Sequence, residues 1–198
     1  PQAKYWQTCT CIGDWHYNIN VYNQNRYKSA QTVIRMLIDI VSKNGNLLLS
    51  VPLKGDGSLD DKEVAVVKGI AAWMKVNSES IYKTRPWKLF GEGPNAEAAN
   101  PISAQGFNEG IRYKPADVRY VCKGKTVYAS FMGWPDTTTV TLKQLGTAAP
   151  TKPGKVKAVK LLGYGFLKFK QSKEGLTVHF PANPIPTGTM ASVLKLDF

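Results

Sequence analysis

Residues 29–53, SAQTVIRMLIDIVSKNGNLLLSVPL, restrict the possible folds more than any other stretch of this chain. Ala30, Val33, Ile34, Leu37, Ile38 and Val41 recur at the spacing that lines one face of a helix. Ser29 is placed to cap its N-terminus, and Gly45 to take the left-handed position just past its end. Asn46 then opens Leu47-Leu48-Leu49-Ser50-Val51, a predicted strand with no polar alternation before Ser50. Strands of that kind are buried on both faces, the habit of parallel sheets. Pro52 and Gly55-Asp56-Gly57 end it. Helix, tight turn, buried strand, loop and helix make the repeat of a (β/α) barrel or of a doubly wound sheet. In either fold the loop after the strand lies on the ligand side.

The loop at 54–63 resembles a calcium loop only superficially, because the alternating oxygen ligands and terminal Glu of an EF-hand are missing. Asp60 and Glu63 read instead as a capping box, with Asp61 in the first turn. The helix they start is predicted to run to about Val76, with Val66, Val67, Ile70, Trp73 and Met74 inward. Gly69 in mid-helix costs about 1 kcal/mol, which close packing there would explain. Upstream, residues 4–28 are dense in aromatics and amides and show little periodicity. Such a segment suits a polyhydroxylated ligand, and equally a surface loop anchored by its rings. Cys9-x-Cys11 with His16 lacks zinc spacing, so the cysteines read as free buried thiols and no metal is expected.

Residues 78–108, with Gly91, Gly93, Pro94, Asn100, Pro101 and Gly106, read as an irregular connection. The expected division is residues 1–86, a linker at 87–108, and a second domain at 109–198. That second part shows alternating runs at 118–122, 127–131, 138–143, 155–162, 166–170, 175–180 and 191–198, the pattern of an antiparallel two-sheet sandwich. The expected fold class is therefore α/β plus all-β. The net charge of +12 would suit a nucleic-acid partner, but Lys152, Lys155, Lys157, Lys160, Lys168, Lys170 and Lys173 alternate largely with apolar residues, as on the solvent face of strands. No apolar run approaches the ~20 residues of a membrane span. The chain begins Pro-Gln-Ala-Lys, which leads to the expectation that residue 1 is not where the gene product starts.

Several blocks in order carry a resemblance: Trp6 to Asn18 (WQTCTCIGDWHYN), Tyr27-Lys28-Ser29, Asp39 to Leu49 (DIVSKNGNLLL), Gly55-Asp56-Gly57, Trp73-Met74 and Thr84-Arg85-Pro86-Trp87. Over residues 5–94 the chain resembles the retaining α-L-fucosidases of glycoside hydrolase family 29. The resemblance implies that residues 5–52 are late elements of a (β/α)8-type barrel, followed by a C-terminal β-sandwich. It implies a fucosylated glycan as substrate and no cofactor; it leaves the compartment open, a secreted or periplasmic setting being compatible with the family. It also places Trp6, Thr10, Trp15, His16 and Tyr17 at the wall or rim of a fucose pocket and Leu47 against the sugar methyl group. A packed core side chain is the alternative for each. The chain departs from the family at Ser50, where Asn is usual, and at Asn77–Lys83, where two family glycines are replaced.

A retaining glycosidase needs two carboxyl groups about 5–5.5 Å apart. Of the acidic residues here only Asp14 falls near the presumed pocket, so no catalytic residue is assigned. A whole barrel takes about 250 residues. The 198-residue chain is accordingly expected to be the C-terminal part of a longer enzyme, inactive alone. A missing N-terminal barrel segment, a partner chain or self-association would cover the open sheet edge. A sugar-binding piece without catalysis is the other reading.

Overall fold

In a computed structural model that describes residues 4–97 and 109–198, the first elements are strand β1 (Trp6–Cys11), helix α1 (Ile19–Asn23), helix α2 (Ala30–Ser42), strand β2 (Gly45–Ser50) and helix α3 (Asp61–Asn77). The Ser29 hydroxyl accepts the Thr32 N–H at 3.1 Å, as a cap should. At the other end, Asn44 and not Gly45 takes the left-handed conformation, with φ 74°. Gly45 already belongs to β2, and its role is contact. A Cβ there would lie 2.5 Å from the Trp6 ring and 2.8 Å from Ile40 Cγ2. Gly45→Ala is expected to cost about 1–3 kcal/mol by overpacking. Urea denaturation reads this directly, and an unshifted midpoint would contradict the packing argument.

β1 and β2 are parallel, with Trp6 opposite Gly45 and Thr10 opposite Leu49. The irregular loop expected at 4–28 therefore begins as a strand. Its Thr and Cys residues are small and similar in polarity, so alternation is invisible in composition although the backbone has it. Trp6, Thr8, Thr10, Gly45, Leu47 and Leu49 share the face turned to the helices. Gln7, Cys9 and Cys11 share the other face with Asn46, Leu48 and Ser50. Within this chain one face of β2 is covered: Leu47 and Leu49 pack with Val33, Met36 and Ile40, while Leu48 is 57% exposed. Cys9 is likewise exposed rather than buried.

α3 starts with the expected capping box. Asp60 Oδ1 accepts the Glu63 N–H at 2.8 Å, and Glu63 Oε2 accepts the Asp60 N–H at 3.0 Å. A Cβ on Gly69 would approach that of Ala30 to 2.7 Å, so close crossing of α2 explains the mid-helix glycine. Trp73 is buried, but Val67 is exposed and does not join the inward face. At the replaced family glycine, Lys83 itself holds a left-handed φ of 60°.

The remaining elements are β3 (Arg85–Glu92), α4 (Pro94–Glu97), β4 (Val118–Lys123), β5 (Thr126–Phe131), β6 (Thr139–Leu142), β7 (Ala158–Leu161), β8 (Gly165–Phe166), β9 (Phe169–Gln171), β10 (Leu176–His179) and β11 (Ser192–Asp197). They form a six-stranded sheet of order β3-β4-β5-β11-β7-β8 and a three-stranded sheet of order β6-β10-β9, antiparallel throughout. The sandwich is present as expected, but its larger sheet begins at Arg85, inside the stretch read as a connection. The rest of that stretch, 98–108, lies outside the described residues. Tyr120, Ala129, Phe131, Leu142, Leu176 and Val178 fill the space between the sheets.

The second face of the large sheet is not a solvent face. Ile34, Ile38 and Trp73 from α2 and α3 pack on Val121, Tyr128, Met132 and Val193. Arg119, which alternates with Val118 and Tyr120 along β4, is therefore buried, and its Nε donates to Asp39 Oδ1 on α2 at 2.5 Å. The lysines also depart from expectation. Only Lys160 and Lys170 of the alternating set lie in strands, and Lys152, Lys155, Lys157, Lys168 and Lys173 are in loops.

Candidate functional site

Because β1 and β2 run parallel, the loops that follow them, 12–29 and 51–60, emerge at the same end. That is the ligand side of an α/β sheet. The first loop is held at both feet: Ile12 N–H donates to Ser50 O at 3.1 Å, and Lys28 N–H donates to Ile12 O at 2.7 Å. Between these feet stand Trp15, 57% exposed, then His16, exposed, and Tyr17, half-buried. Asp14 accepts the Asn18 side-chain N–H at 2.7 Å, and Asn18 caps the short α1.

The second loop turns through Asp56, whose Oδ1 accepts both the N–H and the hydroxyl of Ser58. It ends on Asp60, where the two loops are joined. The Tyr27 hydroxyl donates to Asp60 Oδ2 at 2.7 Å, and the Lys62 ammonium donates to Tyr22 O at 2.7 Å. Burial pulls the Asp60 carboxyl upward, but the Glu63 N–H and the Tyr27 hydroxyl outweigh it and hold the group below the ordinary carboxylate range. Burial, with Asp60 as hydrogen-bond acceptor, raises the Tyr27 hydroxyl.

Glu63 goes the other way. It is buried, its Oε1 has no hydrogen-bond partner among the described residues, and desolvation raises its carboxyl. The stability this residue contributes is full below its ordinary value of 4.5 and is lost as pH rises through the raised folded value. Glu63→Gln retains an acceptor for the Asp60 N–H and carries no charge to desolvate. It is expected to flatten that decline and to leave stability at pH 7 equal to the parent or higher by up to about 1 kcal/mol. Denaturation midpoints between pH 4 and 8 check this, and an unchanged slope would refute it.

The structure gathers Trp15, His16 and Tyr17 at the loop end and separates them from the other residues singled out in the sequence. Trp6 sits at the opposite end of β1, its indole N–H on Lys43 O at 3.0 Å. The Thr10 hydroxyl donates to Glu109 on the helix side, and Leu47 packs among the helices. The strand face turned away from the helices carries Gln7, Cys9, Asn46, Leu48 and Ser50 instead. In a closed (β/α) barrel that face lines the interior. None of these, nor Cys11 on the same face, was placed in the pocket from the sequence, although the two cysteines were weighed as metal ligands and Ser50 was noted as a departure from the family. The available signal was the period of two counted from Leu47 and Leu49, the leucines that face the helices.

The family model Alpha-L-fucosidase matches residues 1–79, and the model Alpha-L-fucosidase C-terminal domain matches residues 113–197. The mouse tissue alpha-L-fucosidase is 28% identical over 202 residues, covering 100% of this chain and 37% of the relative. The human tissue enzyme is 27% identical over 188 residues, covering 93% and 34%. The chain thus spans little more than a third of the length of these relatives. Among solved structures, Thermotoga maritima alpha-fucosidase with a mechanism-based inhibitor superposes with a TM-score of 0.76 at 22% identity, covering 100% of this chain and 40% of the other. The same protein in complex with fucose gives 0.74 at 23%, covering 98% and 40%. These two likenesses show the fold: late barrel elements followed by a sandwich.

Proposed function

The chain belongs to the α-L-fucosidase family, and on that premise we propose that it supplies the last strand–helix units and the sandwich of a retaining enzyme that releases terminal α-L-fucose from glycans. The observation that carries this reading is the parallel β1–β2 pair whose two ligand-side loops are tied together at Tyr27 and Asp60. In this proposal Trp15, His16 and Tyr17 form part of the rim of the sugar site, Trp15 offering a flat apolar ring to sugar C–H groups. Trp6, Thr10 and Leu47 support the wall from the helix side. The nucleophile and the acid/base, which a retaining mechanism sets about 5–5.5 Å apart, come from other strands of the barrel. Residues 1–84 are assigned to the barrel and 109–198 to the sandwich, with β3 (Arg85–Glu92) added to the latter, which moves the expected boundary at 86 by two residues.

Among the described residues the outer edges of β1 and β2 pair with no strand, so the assembled barrel requires further strands on both sides. They come from the same polypeptide or, in the second reading, from a partner chain. Hydrolysis of a chromogenic α-L-fucoside tests the proposal. The 198-residue chain alone should release no fucose, and adding the upstream barrel segment should restore release. Release by the chain alone would show that the acidic groups lie within it. In the active enzyme, Trp15→Ala should raise KM about tenfold with a smaller change in kcat. An unchanged KM would remove Trp15 from the rim.

A further inference from the structure

Residues 109–198 carry twelve lysines and two arginines against five acidic residues, an excess that cleavage of a neutral sugar does not explain. Part of this charge is gathered at one place. Where the β4–β5 turn meets β3 and the 151–155 loop, an open groove of about 510 Å³ is lined by Trp87, Lys88, Lys125, Pro153 and Phe198 among others, and by no acidic side chain. The Lys88 ammonium donates to Thr151 O at 2.7 Å and to Lys152 O at 2.8 Å, which fixes the loop against the groove. Lys152 and Lys155, both exposed, stand one and two residues from Pro153 in the chain. Trp87 forms one wall, its ring held against Tyr120 with centroids 5.2 Å apart.

We infer that this groove binds an anionic polysaccharide, a sugar chain bearing sulfate or carboxylate groups, and holds it on the sandwich away from the reaction site. An open groove admits a chain, whereas a closed pocket admits only its end. The fixed indole offers a face to one sugar ring. Lysines meet scattered single charges as compact cations, and no arginine fork lines the groove to grip a phosphate in two places. A nucleic acid would want a row of stacking rings, and the groove has two aromatic side chains, Trp87 and Phe198. The inference rests on the reading of the chain as part of a sugar-cleaving enzyme, but its test requires no catalysis.

The test is binding of the purified 198-residue chain to immobilised dextran sulfate, to unsulfated dextran and to a single-stranded oligonucleotide, each at two salt concentrations. Dextran sulfate should bind tightest, with affinity falling steeply as salt rises. Lys125→Glu with Lys155→Glu should weaken it about tenfold. Lys68→Glu with Lys168→Glu makes the same change in net charge at exposed positions on α3 and before β9, and should weaken binding less than about threefold. Circular dichroism of each variant separates loss of binding from loss of fold. Equal losses from the two pairs would mean diffuse attraction to a basic surface and overturn the site. Equal binding of unsulfated dextran would overturn the role of charge, and tighter binding of the oligonucleotide would overturn the ligand class. Failure to bind any sulfated chain would end this inference while leaving the fucosidase reading to its own assay.

Discussion

Asp39→Ala is expected to lower the unfolding free energy by about 3–5 kcal/mol, because it strands a buried guanidinium without its counter-charge. Asp39 on α2 is 1% exposed and receives Arg119 Nε at 2.5 Å and the Lys43 ammonium at 2.6 Å. Arg119 on β4 is also 1% exposed, lies 5.4 Å from the Phe90 ring and 5.5 Å from the Tyr113 ring, and among the described residues its Nη2 has no hydrogen-bond partner. Its environment thus suits the cation only while Asp39 is present. Replacing both partners by apolar residues, Asp39→Leu with Arg119→Met, should recover most of the loss, since neither charge then needs to be desolvated. Urea midpoints of the two single variants and the double variant decide the matter. A D39A protein as stable as the parent would mean that water reaches Arg119, and the description of this interface would fail.

Trp73→Ala should cost about 3–5 kcal/mol, as other large-to-small core changes do. The indole is fully buried between α3 and the outer face of the large sheet, among Ile34, Val121 and Val193, and its N–H donates to Ala191 O at 2.9 Å. Trp73→Phe keeps most of the packing and abandons only the carbonyl, so a loss of about 1–3 kcal/mol is expected. Both Asp39 and Trp73 cross from the helices to the sandwich. Unfolding followed by near-ultraviolet and far-ultraviolet dichroism should therefore give coincident transitions. Two separate transitions would show that the helices and the sandwich are energetically independent, contrary to this packing. The large sheet thus holds the helices in place through its outer face, at Val121, Tyr128, Met132 and Val193.

The legible parts of the chain were those where local rules and the final environment agree. Ser29 and Asp60 cap because capping needs only residues within one turn, and both helices appear where the apolar period put them. The sandwich strands followed from alternation because their inner faces meet one core. The order of the blocks from Trp6 to Trp87 was enough to indicate the family. β3 was hidden because Gly91 and the Gly93-Pro94 pair just after it read as breakers, although an edge strand tolerates glycine and can end on such a pair. β1 was hidden because threonine and cysteine do not announce a face.

What the sequence alone determined, then, is the set of local elements, the two-part architecture and the fucosidase kinship. Each depends on short-range periodicity or on residue order. Only the tertiary structure decided that Leu47 turns to the helices and Leu48 away from them, that Arg119 is buried on Asp39, and that Tyr27 and Asp60 tie the two loops. The physical reason is that the facing of a strand, and the partner of a charge, are settled by what packs against them, and those neighbours lie 33 and 80 residues away along the chain in the two hydrogen bonds that matter most.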